Sequence, residues 1–265
     1  MCWYELKDYL KKLNALGRPE IFREKVKTYE VFHDFYNREQ LYVSSERQKD
    51  EFVSFFQRHA SGIIKPVDRY GGEGIGIYQL SDVAGPDQIW KEVSAKTPFV
   101  LEELIDQAPE MSAFYPHSVN TIRYDTFYND GKLTRLQAVL RLGRGGNRVD
   151  NATSGGIYAL VDTKTGRILG PARSDGNELF EDHPDTGVHF EGSCIPRWDE
   201  LNALLDKIVR VGPEQKQIGW DFALGKNGWV MVEGNTMPGI QEFNLDHGMR
   251  ELMRTTFGTV VDMWG

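Results

Sequence analysis

Asp221, Glu233 and Asn235 are the residues of this 265-residue chain whose types and spacing most readily do chemistry. They lie in IGWDFALGKNGWVMVEGN, which reads as a hairpin with Asp221 on one strand, a turn over Gly225–Gly228, and Glu233 and Asn235 on the return. Residues two apart on a strand face one side, so Glu233 and Asn235 project together. Two carboxylates and an amide oxygen, with no His or Cys, make an all-oxygen donor set that suits magnesium. The alternative is an exposed polar hairpin face. Against it stand the apolar neighbours Trp220, Phe222, Val230 and Val232, which mark packed strands, where acids rarely enter without a partner. Register decides the matter. A two- or four-residue turn centred on Lys226–Asn227 pairs 221 with 232 and turns Asp221 to the other face. An odd connection, with Gly228 in a bulge, pairs 221 with 233. The metal reading requires the odd register. It also implies that Asp221→Asn leaves the fold intact, because a charge leaves a carboxylate cluster.

Three further segments carry candidate chemistry. KPVDRYGGEGIG places Gly71, Gly72, Gly74 and Gly76 in a loop whose N–H groups can lie against phosphate oxygens, with Lys65 on the preceding strand as a point charge. It lacks the GKS or GKT of a Walker loop and the glycine spacing of the dinucleotide fingerprint, and it reads equally as a surface hairpin. FVLEELID runs an apolar strand into Glu102 and Glu103, as a hinge whose backbone groups bind an adenine edge or as a helix start favoured by acids. VLRLGRGGNRVDNATSGG brings Arg141, Arg144 and Arg148 close to Asn151, dense cationic forks for phosphate or carboxylate in an acidic chain.

The elements that must position these residues follow from periodicity. Helices are predicted over residues 3–16, Pro19–Asn37, Ser45–His59, Asp87–Ala95, Asp199–Val211 and Gly248–Phe257. SGIIKPV and GIGIYQL read as strands flanking the glycine loop. From Asn120 the pattern becomes β, with hairpins at Asn129-Asp130-Gly131, at Lys164-Thr165-Gly166 and at 225–228. The fold class expected is α+β, a small α/β lobe over 1–101 and a larger antiparallel-sheet lobe over 102–265.

Composition narrows the function. A net charge of −8 lacks the basic face of a nucleic-acid binder. Two cysteines, Cys2 and Cys194, exclude a disulfide scaffold and a four-cysteine zinc site, and fit a reducing compartment, the cytoplasm. No apolar run approaches the ~18 residues of a membrane span, and the charged MCWYELKDYLKK is not a secretory leader. The six histidines show no metal spacing, although His183 or His189 could line an acceptor site.

The ordered set KP…GGEGIG, VLEELI, R-x9-N-x3-GG and D-x11-E-x-N-x2-PG resembles the ATP-grasp superfamily from about Glu24 to Gly239. NTIR at Asn120–Arg123, HPDTG at His183–Gly187 and IGWDFA resemble its sugar-transfer associated branch. The resemblance implies an ATP-grasp fold with ATP between two lobes, and ATP and Mg2+, as two ions, as cofactors. It implies that Lys65 and Lys25 (with Lys27 as the alternative) bind phosphates with Gly71, Gly72 and Gly74. Glu102, Glu103 and Ile105 would form the adenine hinge, Glu110 would bind ribose, and Asp221, Glu233 and Asn235 would hold magnesium. Arg141 would face the γ-phosphate and the reacting carboxylate, with Arg123 and Arg144 toward the acceptor. The activity implied is a carboxylate–amine ligase acting through an acyl phosphate on a sugar, amino acid or peptide of the cell envelope. A kinase phosphorylating a sugar hydroxyl and a non-catalytic ATP-binding module are the alternatives. Such ligases usually carry a further N-terminal α/β domain, and 24 residues precede Lys25, so that domain is either missing, outside this sequence, or replaced by a protein partner or second copy that completes the acceptor site.

Overall fold

A computed structural model describes Leu10, Lys11, Asn14 and residues 17–67, 74–150, 155–212 and 215–238. Most of the helix expected over 3–16, all of that over 248–257, the loop residues Gly71 and Gly72, and Asn151 lie outside the described residues. The described residues form two units. One is Arg23–Asp106, and the other takes the described residues up to Phe22 and from Gln107 onward.

The smaller unit is built on aromatic residues. Helix α1 spans Lys25–Tyr36, α2 spans Lys49–Arg58 and α3 spans Pro86–Val93. Phe52, Phe55 and Phe56 on α2, and Ile89, Trp90 and Val93 on α3, recur at helical spacing and are buried. They close over a four-stranded antiparallel sheet of β1 (Gln40–Val43), β2 (Ser61–Pro66), β3 (Gly76–Gln79) and β4 (Phe99–Glu103), in the order β1-β4-β2-β3. The helix expected over Pro19–Asn37 is interrupted. A single turn, Glu20–Arg23, precedes Glu24 in extended backbone, and α1 ends where Asn37 turns left-handed at φ 47°. Strand β1 escaped sequence reading because QLYV is too short to show a period.

The larger unit is a seven-stranded antiparallel sheet in the order β11-β10-β5-β6-β7-β8-β9. Its strands are β5 (Thr121–Asn129), β6 (Lys132–Leu142), β7 (Ile157–Val161), β8 (Ala172–Ser174), β9 (Leu179–Phe180), β10 (Gln217–Gly225) and β11 (Gly228–Asn235). Asp130 and Gly131, both at positive φ, form the expected two-residue turn between β5 and β6. Helix α4 (Trp198–Ile208) packs on the sheet, with Trp198 stacked on Tyr124. No helix of the described residues is long and apolar enough to cross a membrane.

Asn120 braces the entry to β5. Its buried Nδ2 donates to the carbonyls of Met111 at 2.7 Å and Tyr115 at 2.9 Å, and its N–H donates to Gln107 Oε1 at 2.6 Å. Gln107 Nε2 donates in turn to the carbonyls of Tyr115 and Ser118. Asn120→Ala removes two buried hydrogen bonds, while the Tyr115 carbonyl keeps Gln107 and the Met111 carbonyl keeps the Phe114 N–H, so urea unfolding should show a loss of roughly 1–3 kcal/mol with an unchanged slope.

Candidate functional site

The larger unit brings Asp221 and Glu233 together by one extra residue in a ladder. Gly225 pairs with Gly228 across the two-residue turn Lys226–Asn227, and Phe222 pairs with Met231, the register that would place Asp221 opposite Val232. Between Asp221 and Phe222 the register shifts, so that Asp221 pairs with Glu233 and Gly219 with Asn235. Val232 is the bulged residue. The irregularity expected at Gly228 therefore lies four positions further along β11. Gly228 keeps an unusual backbone, φ 131°, but stays in the tight turn. Directly opposed residues share a face, so both carboxylates and the amide project from one side of the sheet.

Two arginines stand on the same face. Asp221 pairs on its other side with Arg123 of β5, whose Nε donates to Oδ1 at 2.5 Å and whose Nη2 donates to Oδ2 at 2.8 Å. Both side chains are buried. Arg141 of β6 comes within 3.7 Å of Asp221 Oδ1. Burial by itself would raise the Asp221 carboxyl, but Arg123 and Arg141 override it and hold it low. Glu233 moves the other way, because desolvation and the Asp221 charge push its carboxyl up. Asn235 Nδ2 donates to Glu233 Oε1 at 3.1 Å, which leaves the amide oxygen for another partner. The expectation that Asp221→Asn merely relieves a carboxylate cluster is corrected here. Asp221 is the counter-charge of a buried arginine, and neutralising it leaves that cation undercompensated.

The chemistry of this donor set fits a small hard cation. Among the described residues no three His, Cys, Asp or Glu side chains could hold a metal together. Two carboxylates and an amide are, however, the sparse oxygen set with which magnesium is held when nucleotide phosphates complete its shell.

Around Arg141 the loop after β6 is pinned rather than open. Thr121, its partner on β5, hydrogen-bonds through Oγ1 to the Asp150 carboxylate, whose burial raises its pKa. Arg144 is engaged structurally, with Nε donating to the Gly155 carbonyl at 2.9 Å, Nη1 3.4 Å from Glu178 and its guanidinium 4.9 Å over Phe180. HPDTG is the clasp of this loop. His183, buried and stacked on Tyr115, meets the Gly143 carbonyl at 2.9 Å, and Asp185 accepts the Gly145 N–H at 2.7 Å. His189 faces Asp182 at 2.7 Å near the surface.

The smaller unit holds a second charged group. Glu102, 3% exposed, accepts Lys65 Nζ at 2.7 Å and Arg38 Nη2 at 3.0 Å on Oε2, and Gln40 Nε2 at 3.0 Å on Oε1. Its carboxylate is thereby filled, and Lys65 is aimed. Arg38, which lies 4.4 Å over the Tyr36 ring, escaped sequence reasoning, since nothing in NREQL marks it as a partner of an acid 64 residues away. Glu103 is partly exposed, and its Oε2 accepts the Glu39 N–H at 3.3 Å. β4 ends there, and Leu104–Asp106 continue as irregular chain whose main-chain groups are in no ladder. Ile105 is partly buried in that segment. Lys25 opens α1, Gly74 sits exposed at φ 75°, and Glu110 is exposed on the single turn Pro109–Ser112.

Burial would raise Glu102, but Lys65 and Arg38 hold it at about 2 against an ordinary 4.5. A depressed carboxylate contributes stability that is complete above about pH 4.5 and is lost as pH falls toward about 2. Urea-unfolding free energies measured from pH 6 downward should fall more steeply across that window in the native chain than in Glu102→Gln. Parallel curves would remove the pair from the acid response.

Known proteins share this fold. The fold matches a D-alanyl-alanine synthetase A structure from Vibrio cholerae O1, with a TM-score of 0.56 at 16% identity, over 92% of this chain and 68% of that one. It also matches phosphoribosylamine–glycine ligase from Thermotoga maritima, with a TM-score of 0.51 at 12% identity, over 86% of this chain and 53% of that one, about half its length. No curated protein matches at the level of sequence. The family model described as sugar-transfer associated ATP-grasp matches residues 5–256, nearly the whole chain, and with the α+β fold of two antiparallel sheets it establishes that this chain belongs to the sugar-transfer associated ATP-grasp family.

Proposed function

We propose that this chain is an ATP- and magnesium-dependent ligase that joins a carboxylate to an amine through an acyl phosphate. The observation that carries the reading is the bulge at Val232, which puts Asp221, Glu233 and Asn235 on one face with Arg123 and Arg141. Magnesium held by Asp221, Glu233 and Asn235, as two ions, would supply Lewis-acid neutralisation of phosphate charge. Lys65 is aimed by its hydrogen bond to Glu102, which suits it to a phosphate oxygen, with Lys25 and the loop residues Gly71, Gly72 and Gly74 assigned to the same tail. The main chain of Leu104–Ile105, outside any ladder, supports an adenine edge bound by backbone rather than by the filled Glu102 carboxylate. Glu103 would flank it, and Glu110 is assigned to ribose. Arg141 would orient the carboxylate for in-line attack on the γ-phosphate and then face the charge of the second step. Arg123 acts by holding Asp221, and Arg144 by fastening the loop beside Arg141. ATP supply and the exposed free thiol of Cys194 support a cytoplasmic location.

Incubation with MgATP and a pool of amino acids, amines and sugars should give ADP and an amide product by mass. A phosphorylated sugar would assign the chain as a kinase, a reading that the family's sugar-transfer association favours. Absence of any ADP would leave a binding module.

Glu233→Gln is the cleaner test of the metal set, because it removes a carboxylate whose charged form the neighbouring Asp221 charge already disfavours. Magnesium-dependent ADP formation should fall well over tenfold with unfolding free energy unchanged or raised. Asp221→Asn should lose the activity and also about 3–5 kcal/mol of stability, through the stranded Arg123. Retained turnover in Glu233→Gln would remove it from the site.

A further inference from the structure

We propose, on the ligase reading above, that the carboxylate substrate carries a second anionic group, and that Arg173 on β8 binds it. The ladder positions give the row. Thr121 pairs with Arg141, Arg141 with Tyr158 of β7, and Tyr158 with Arg173. Directly opposed residues share a face, so Arg173 stands on the side of the sheet that carries Arg141, Arg123 and Asp221, two strands beyond Arg141. Two strand spacings separate the arginine backbones by about 10 Å.

Arg173 differs from its neighbours in having no assigned counter-charge. Arg123 is bound to Asp221, Arg141 approaches the same carboxylate, and Arg144 is taken up by Gly155, Glu178 and Phe180. Glu178, the acid next to its β9 partner Leu179, is thus committed to Arg144. The partly buried Arg173 side chain makes no hydrogen bond or ion pair among the described residues. A guanidinium partly withdrawn from water without a partner is unfavourable, and in a chain of net charge −8 acids are plentiful enough to have supplied one. Its planar fork matches a carboxylate or a phosphate in bidentate fashion. The substrate class is therefore a small dianion, either a dicarboxylate or a carboxylate bearing a phosphate.

The test uses the full chain with MgATP and hydroxylamine as trapping amine, and reads ADP and hydroxamate. Straight-chain monocarboxylates are compared with dicarboxylates and phosphonocarboxylates of increasing length. The wild-type kcat/KM should favour one dianion series by about tenfold or more over monoanions, and the preferred series distinguishes carboxylate from phosphate. Arg173→Gln should abolish that ratio, and Arg173→Lys should keep part of it. No dianion preference in the wild type, or an equal loss for both substrate kinds in Arg173→Gln, overturns the subsite. Calorimetric titration of the same dianions without ATP is the second arm. Binding weakened about tenfold or more in Arg173→Gln supports the subsite, and equal or absent binding to the wild type overturns it. If no carboxylate yields ADP, the ligase reading fails by itself, and the calorimetric arm still decides for or against Arg173.

Discussion

The ladder between β10 and β11 holds one more residue on β11 than on β10, and that residue is Val232. Its consequences run through the larger unit. From the turn to Phe222 the strands pair as a tight hairpin must, and beyond Val232 they pair one step later. Without the shift Glu233 and Asn235 would project from the face opposite Asp221. With it, one face carries acid, amide and arginine, while Trp220, Phe222 and Met231 remain buried. A bulge re-aims side chains without disturbing the turn or the neighbouring strand, which explains how β5 can hold Arg123 directly opposite Asp221.

Both units solve the same electrostatic problem. Each buries a carboxylate and pairs it with two cations: Asp221 with Arg123 and Arg141, and Glu102 with Lys65 and Arg38. Removing charges from water is costly, and such pairs persist where geometry satisfies every oxygen and proton. The return is direction more than stability. Arg123 fixes the rotamer of Asp221, and Glu102 fixes that of Lys65, so long and flexible side chains are held before any ligand arrives. The polar clasp of His183, Asp185 and Tyr115 does the same for the loop after Arg141, through backbone carbonyls and N–H groups.

Much of this was legible in the chain of letters. The phenylalanines of α2 and the turn at Asp130-Gly131 follow from local periodicity and turn chemistry, because neighbours in sequence decide them. The all-oxygen set of Asp221, Glu233 and Asn235 is a matter of residue types at short spacing, and the ordered motifs around it were enough to indicate the family that the match over residues 5–256 establishes. The sequence also posed the register question correctly, since period-2 geometry allows only two answers.

What tertiary structure alone decided depends on residues far apart in the chain. The bulge lies at Val232 rather than Gly228, and the Asp221 it aligns with Glu233 is held from the other side by Arg123 of β5, 98 residues away. Glu102 reads as a hinge acid from its strand, yet its carboxylate is filled by Arg38, Gln40 and Lys65, which arrive from two other strands and a loop. Arg144 and Arg173 look alike in sequence, and only the sheet order shows one fastened and the other uncommitted. A residue's type is local, but its charge balance is set by whatever the fold folds against it, and no spacing rule reaches across that distance.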